Sequence, residues 1–173
     1  MLIDSHCHLD YFTPEELPQI LSRAAESGVA ELVTIGTTFA QSERLLPLVD
    51  SHPNLWCTVG VHPLHAAEAP IPTPEALAAL ASHPKVIGIG ESGLDYFYDK
   101  APRDVQEANF RANIRAARLA GIPLCIHARD ADADIAEILR QERDTGGDFA
   151  FLLHCFSSGR ALAEAALEMG GSI

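Results

Sequence analysis

Short apolar runs alternate with helix-like repeats of apolar residues along the whole chain. The apolar runs predict β-strands at residues 2–4, 31–35, 55–61, 86–90, 123–127 and 149–154. Between these runs, apolar residues recur every three or four positions, which is typical of amphipathic helices that bury one face. Thr13 and Thr73, each followed by proline, predict helix starts, and Gly28 predicts a helix end. The pattern therefore indicates six strand–helix units, with another strand beginning at residues 172–173.

Strands that alternate with helices predict parallel β/α units, and two architectures are built from such units. An open doubly wound sheet gathers its ligand-binding residues at one switch point, whereas a closed barrel collects them from the ends of many strands. Here side chains that could bind a metal ion or transfer protons follow at least four strands. This favours the TIM-type (β/α)8 barrel of the metal-dependent hydrolase kind. Such a barrel needs eight units and about 250 residues. We therefore expect residues 1–173 to form one α/β domain that lacks the C-terminal part of the barrel.

Composition narrows the class of protein. A hydrophobic fraction of 47% is typical of a globular protein. No apolar stretch approaches the ~18 residues of a membrane span, and the first residues lack the pattern of a signal peptide. The four cysteines are widely spaced without a Cys-x-x-Cys pair, so we expect reduced thiols in a cytoplasmic protein. The net charge of −12 disfavours a protein that coats duplex nucleic acid, but bound cations could still attract a phosphodiester substrate.

Four histidines and one glutamate lie at the ends of predicted strands. His6 and His8 follow the first strand and, being two residues apart in extended chain, point to the same side. Glu91 is the first polar residue after the fourth strand, and His127 and His154 end the fifth and sixth. Each histidine alone could be a surface residue, but in a barrel all five side chains converge on one axis. Imidazole and carboxylate ligands suit zinc, manganese or similar ions, and a carboxylate can bridge two ions.

Other polar and aromatic residues lie near the same strand ends. His62 ends the third strand and could contact a substrate phosphate, assist proton transfer or have a structural role. His65 follows in a loop, and both a functional and a structural role remain open for it. Arg129, after the fifth strand, is a candidate for holding the phosphate or a surface charge. The aromatic residues 96–98 could stack on a nucleobase or pack within their loop.

Five motifs together resemble the TatD family of metal-dependent deoxyribonucleases, in the family's order and across the whole chain. They are DSHCHLD at 4–10, GVHP at 60–63, GESGLDY at 90–96, IHARDA at 126–131 and HCFS at 154–157. The one small departure is Ser92, where an isoleucine is common in the family. The resemblance implies an amidohydrolase-type barrel that binds two divalent metal ions (Mg, Zn or Mn). It also implies hydrolysis of phosphodiester bonds in DNA, with single strands or 3′ ends as substrate.

The resemblance also implies roles for individual residues. By the family pattern His6 and His8 bind one metal ion, Glu91 bridges two ions, and His127 and His154 complete the second site. From the residues themselves we also expect Glu91 and His62 to be catalytic, and His62 and Arg129 to hold the substrate. We expect neither a membrane association nor a stable protein partner.

The family also has an aspartate after strand eight that binds metal and acts as the probable base, and this chain ends before that position. Asp130, Asp132 and Asp134 follow the fifth strand, but as residues of a helix start they favour its N-terminal dipole instead.

Two alternatives remain open from the sequence. The same metal site could hydrolyse another bond, such as an amide, lactone or ester, because fold does not settle substrate. Alternatively, the 173 residues could be a truncated, non-catalytic fragment. Unpaired strand edges would then make it unstable or oligomeric.

Overall fold

Six parallel strands form a single sheet in the computed structural model, which describes residues 2–173. The strands are β1 (Leu2–Cys7), β2 (Val29–Thr34), β3 (Leu55–Val59), β4 (Val86–Asp95), β5 (Leu124–Arg129) and β6 (Phe151–Leu153). Each strand pairs in parallel with the next one along the chain, in the order β1-β2-β3-β4-β5-β6. A doubly wound sheet reverses this order at its switch point, whereas a barrel keeps it. The predicted TIM-type architecture is thus confirmed, as a curled half-barrel.

Helices connect consecutive strands, and a seventh strand begins at the end of the chain. The helices are α1 (Leu17–Glu26), α2 (Phe39–Asp50), α3 (Pro74–Ala81), α4 (Arg103–Ala120), α5 (Asp132–Gly146) and α6 (Arg160–Glu168). After α6, the backbone of Ser172 accepts a hydrogen bond from Leu153 N–H and donates one to the carbonyl of Phe151, both at 3.0 Å. This parallel bridge beside β6 confirms the predicted strand start.

Side-chain caps explain where several helices begin. Thr73 accepts a hydrogen bond from the backbone of Ala76 at 3.2 Å and starts α3 as predicted. At Thr13 a capping box forms with Glu16, whose carboxylate accepts a hydrogen bond from Thr13 N–H at 2.9 Å, yet the regular helix begins only at Leu17 rather than at the predicted start. Pro18 has no N–H with which to bond the carbonyl four residues earlier, so residues 14–16 form turns rather than helix.

Strand β4 is longer than the apolar run that predicts it. It continues from residue 90 to Asp95, because Gly93, Leu94 and Asp95 pair with residues of β5. Polar residues interrupt the apolar pattern here although they are buried, so hydrophobicity alone ends the strand too early. Glu91 therefore lies inside a strand rather than just beyond one.

The apolar core fills the space between the sheet and the helices. Phe110 and Ile114 of α4 and Ile135 and Leu139 of α5 are fully buried, as the helical periodicity predicts. All four cysteines are free thiols: two are buried, one is half-buried and Cys155 is exposed. Within residues 2–173, no helix combines the length and the hydrophobicity that crossing a membrane requires.

Candidate metal centre

The Glu91 carboxylate lies at the centre of four imidazoles. The residue is 3% exposed. Oε1 lies 3.0 Å from Nδ1 of His127, 2.5 Å from Nε2 of His154 and 3.6 Å from Nε2 of His62. Oε2 lies 3.3 Å from Nε2 of His6. These histidines come from the ends of β1, β3, β5 and β6, so the half-barrel brings together side chains up to 148 residues apart in sequence, from 6 to 154.

Two glycines let β4 approach β5 closely enough for these contacts. Gly90 has φ +116° and Gly93 has φ +150°, a backbone conformation that side chains disfavour. A Cβ on Gly93 would lie 2.0 Å from the carbonyl oxygen of His127, and one on Gly90 would lie 2.5 Å from the carbonyl oxygen of Cys125. The pair flanks Glu91, so the main-chain spacing positions the carboxylate against His127.

His8 carries a polar atom without a partner. Its Nδ1 is buried and makes no hydrogen bond among the described residues. The ligand atoms of His6, His8 and Glu91 all lie within 4.8 Å of one another, as do those of His62, Glu91 and His127. A buried imidazole nitrogen without a partner, in a histidine that lies beside His6 and the Glu91 carboxylate, fits a site for a divalent cation. The donor set present therefore fits the metal that the sequence suggests.

The second group differs from the predicted ligand set, which pairs His127 with His154. The two rings lie 6.0 Å apart, each against Glu91, and His62 replaces His154 in the compact group. However, Nδ1 of His62 accepts a hydrogen bond from Leu64 N–H at 3.1 Å. The proton of the neutral ring must then be on Nε2, the atom that faces Glu91. His62 is therefore suited to donating a hydrogen bond in the cavity rather than to binding metal.

Burial and mutual contacts shift the pKa values of the cluster. Burial alone would raise the pKa of Glu91, but hydrogen bonds from the four histidines outweigh it and hold that pKa far below its usual range. Burial lowers the pKa of His62 and, together with the charge of His6, that of His8. Burial also opposes protonation of His127, but Glu91 and Asp95 raise its pKa. The centre thus contains an ionised carboxylate and, at His8, an imidazole whose lowered pKa favours the neutral form that can bind a metal ion.

Asp95 is a further site residue, and the pattern of polar residues at strand ends does not predict it. It is fully buried, and its Oδ2 lies 3.0 Å from Nε2 of His127. A signal for it exists, because residues four apart in a strand point to the same face, and Glu91 and Asp95 are so spaced. Using that signal requires knowing that β4 extends to Asp95.

Arg129 lies away from the carboxylate cluster. Its guanidinium stacks 4.7 Å from the ring centre of Phe97, and the residue is exposed. It lines a neighbouring cavity with Asp130, Asp132 and residues 157–159. Asp132 accepts a hydrogen bond from the backbone of Gly159 and lies in the first turn of α5, as expected for a helix start.

The cluster opens into a cavity of about 680 Å³. Its lining includes all the predicted metal ligands and His62, together with Phe156 and Ile173. His65 lies outside this lining and pairs with Glu68 at 2.7 Å. The cavity is large enough to admit a nucleotide-sized group to the histidines.

Comparison with known proteins adds family information to this geometry. A sequence profile described as TatD related DNase matches residues 3–173. The chain is 34% identical over 177 residues to the uncharacterized metal-dependent hydrolase YabD of Bacillus subtilis, covering 98% of this chain and 66% of that one. It is 35% identical over 156 residues to the 3'-5' ssDNA/RNA exonuclease TatD of Erwinia amylovora, covering 90% of this chain and 60% of that one.

A solved structure shares the fold. The crystal structure of YJJV, a TatD homologue from Escherichia coli K12, superposes with a TM-score of 0.86 at 26% identity. The match covers 98% of this chain and 66% of the other. The chain thus spans just under two thirds of the length of the relatives it matches.

Proposed function

Because the chain belongs to the TatD-related DNase family, we propose that it is a metal-dependent hydrolase that cleaves phosphodiester bonds of DNA. The observation that carries this proposal is the buried, ionised Glu91 carboxylate, around which imidazole nitrogens converge. His6 and His8 would hold one divalent ion, Glu91 would bridge to a second, and His127 and His154 would complete that second site. Two bound ions (Mg, Zn or Mn) would polarise the phosphate and make a bound water more acidic.

His62 supplies a hydrogen-bond donor in the same cavity. Leu64 N–H occupies its Nδ1, so the Nε2–H faces inward, 3.6 Å from Glu91. A donor placed there can hold a non-bridging phosphate oxygen and orient the scissile bond. We therefore assign His62 to substrate binding and transition-state stabilisation. Arg129 would contact the phosphate of a neighbouring nucleotide, because it lines the adjacent cavity rather than this one.

Exposed aromatic residues support a single-stranded substrate. Phe97 and Tyr98 follow β4 and are 54% and 61% exposed, and Tyr11 follows β1 and is 72% exposed. Unpaired bases stack on such rings, whereas duplex binding depends on basic surface, which a net charge of −12 does not favour. The Erwinia relative is named as an exonuclease on single-stranded DNA and RNA. We propose single strands or 3′ ends of DNA as substrate.

A nuclease assay with metal analysis tests this proposal. We expect the purified protein to shorten 5′-labelled single-stranded DNA in the presence of Mg²⁺, Mn²⁺ or Zn²⁺. Addition of a chelator should stop this hydrolysis. Glu91→Gln should abolish the activity, whereas the exposed Glu15→Gln serves as a matched control and should retain it. Hydrolysis that persists with chelator or in Glu91→Gln would contradict the metal mechanism. Turnover of an ester, lactone or amide panel without DNA cleavage would favour the alternative substrate class.

The possibility of a non-catalytic fragment has its own test. Leu2 and Ile3 of β1 are 60% and 59% exposed, so apolar side chains on this strand face solvent. We propose that a polypeptide of these 173 residues self-associates through that strand and turns over slowly. Analytical ultracentrifugation that shows a monodisperse monomer, together with cooperative melting and full activity, would contradict this.

We also place the protein in the cytoplasm, because its four cysteines are free thiols.

A further inference from the structure

Asp95 and Glu91 hold the His127 ring from both of its nitrogens. The two carboxylates lie four residues apart on β4 and so project from the same face of the strand. Glu91 Oε1 is 3.0 Å from Nδ1, and Asp95 Oδ2 is 3.0 Å from Nε2. The ring plane and the direction of each nitrogen are thereby fixed.

The two oxygens of Asp95 have different partners. Oδ1 accepts hydrogen bonds from the backbone N–H groups of Phe97 at 3.1 Å and Tyr98 at 2.8 Å. Oδ2 faces His127 instead. The Asp95 backbone is itself held by the buried Gln106, whose Oε1 accepts the Asp95 N–H at 2.9 Å and whose Nε2 donates to its carbonyl at 3.2 Å. The carboxylate therefore cannot rotate without breaking several hydrogen bonds.

We propose that Asp95 is a positioning residue that keeps the ring proton of His127 on Nε2, so that the Nδ1 lone pair is directed at the metal position beside Glu91. A neutral imidazole has one donor and one acceptor nitrogen, and a carboxylate only accepts. Both carboxylates can accept the single proton of the neutral ring, but Glu91 Oε1 has Nε2 of His154 and Nε2 of His62 beside it as alternative donors. Among the described residues Asp95 Oδ2 has only His127 as a donor, so the ring proton belongs on the nitrogen that faces Asp95 and Nδ1 is left free to bind an ion. A carboxylate behind a metal-binding histidine commonly has this role. The inference deepens the proposed metal site and rests on it.

A purely structural role for Asp95 would be to close the turn that carries Phe97 and Tyr98. The variant Asp95→Asn separates the two roles. Its amide oxygen can still accept the two backbone N–H groups, which sets the orientation of the amide and places its NH₂ group against His127. A donor at that place requires a lone pair on Nε2, and the ring proton moves to Nδ1. The turn is then preserved while the metal-facing nitrogen is blocked.

Two measurements on the full chain test this proposal. The first is the two-bond ¹H–¹⁵N spectrum of histidine-labelled, metal-free protein at about pH 9, where imidazoles are neutral. The resonance of His127 is assigned with His127→Gln. We expect Nε2–H in the wild type and Nδ1–H in Asp95→Asn. The second is calorimetric titration with Mn²⁺ and Zn²⁺, in which Asp95→Asn should bind one ion about 10–100-fold more weakly.

Asp99→Asn is the matched control, because it removes the same charge from an exposed residue of the same loop. It should leave both the tautomer and the affinity unchanged. An unaltered tautomer and affinity in Asp95→Asn would overturn the positioning role and leave only the turn. If Asp95→Asn does not fold, the wild-type spectrum decides, because Nδ1–H there overturns the proposal. A tautomer switch without any divalent binding in the wild type would instead refute the proposed metal function.

Discussion

Two glutamates of this protein are almost equally buried but have different kinds of partner. Glu91, 3% exposed, lies among imidazoles at the strand ends. Glu142 of α5, 2% exposed, lies among guanidinium groups of α4: Arg115 at 2.8 Å, Arg111 at 3.3 Å and Arg118 at 3.8 Å. In both cases burial alone would raise the pKa, and the partners lower it instead.

The difference lies in what each set of partners can do next. Guanidinium groups are permanently charged and only donate hydrogen bonds, so they balance the negative charge of Glu142 permanently. The resulting ion pairs join α4 to α5. Imidazoles can lose a proton and offer a lone pair, so the Glu91 cluster can exchange protons for a metal ion. A buried carboxylate therefore indicates a candidate metal site only when its neighbours can also become ligands.

The largest expected contrast is in metal-dependent stability. Divalent metal at about 100 times its dissociation constant should raise the free energy of unfolding by about 2.7 kcal/mol. For a chain of this size that corresponds to about 5–10 °C in melting temperature. Differential scanning fluorimetry should show the shift in the wild type and in Glu142→Gln, and not in Glu91→Gln. A shift that survives in Glu91→Gln would remove Glu91 from the metal site.

The second contrast concerns stability without metal. Glu142→Gln should lower the free energy of unfolding by about 1–3 kcal/mol, because it weakens charge-assisted hydrogen bonds to Arg111 and Arg115. Urea titration of metal-free protein measures this loss. Glu137→Gln, at an exposed position of the same helix, is the control and should change stability little. Equal midpoints for the two variants would show that the arginine cluster does not stabilise the fold.

The pH dependence of Glu142 follows from its lowered pKa. Its contribution to stability is complete above the ordinary carboxyl value of 4.5 and is lost as the pH falls through the lower folded-state pKa. The difference in unfolding free energy between the wild type and Glu142→Gln should thus be constant near pH 7 and shrink below about pH 4.5. Urea titrations of both proteins at pH 7 and at several pH values below 4.5 measure it. A difference that grows on acidification would have the wrong sign.

The smallest expected effect is that of Arg115→Ala. Its side chain is about half exposed and Glu142 keeps Arg111 as a partner, so we expect a loss of only about 0.5–1 kcal/mol. A double-mutant cycle with Glu142→Gln isolates the pairwise interaction. A loss from Arg115→Ala that exceeds the loss from Glu142→Gln would show that packing of the arginine stem, rather than the ion pair, dominates.

Local patterns predict much of this fold, because its units are local. Helical periodicity identifies the buried faces of α4 and α5, and the alternation of strands and helices predicts the parallel order. The histidines are expected to converge because each follows a strand, and parallel strands end at one edge of the sheet. His6, His127 and His154 all contact Glu91 in the structure.

The parts that the sequence does not predict depend on contacts between elements. Glu91 and Asp95 are polar residues buried within β4, and hydrophobicity ends that strand at residue 90. The ring proton of His62 depends on a backbone N–H two residues away, a matter of loop geometry. Arg129 follows the right strand, yet its side chain turns to Phe97 and a neighbouring cavity. Side-chain direction beyond a strand end is set by tertiary neighbours, which local spacing does not reveal.

The close approach at Gly93 has a consequence for mutational tolerance. Even a single methyl group there would meet the carbonyl oxygen of His127, so accommodation has to come from the main chain. A saturation library across β4 should therefore tolerate few replacements at Gly93, although this residue has no side chain of its own. A replacement at Gly93 would move the main chains of β4 and β5 apart. The distance between the Glu91 carboxylate and the His127 imidazole would then change, whichever rotamers the two side chains adopt. The spacing between strands of the sheet thus sets the distances within the metal centre, and the side chains provide the ligand atoms.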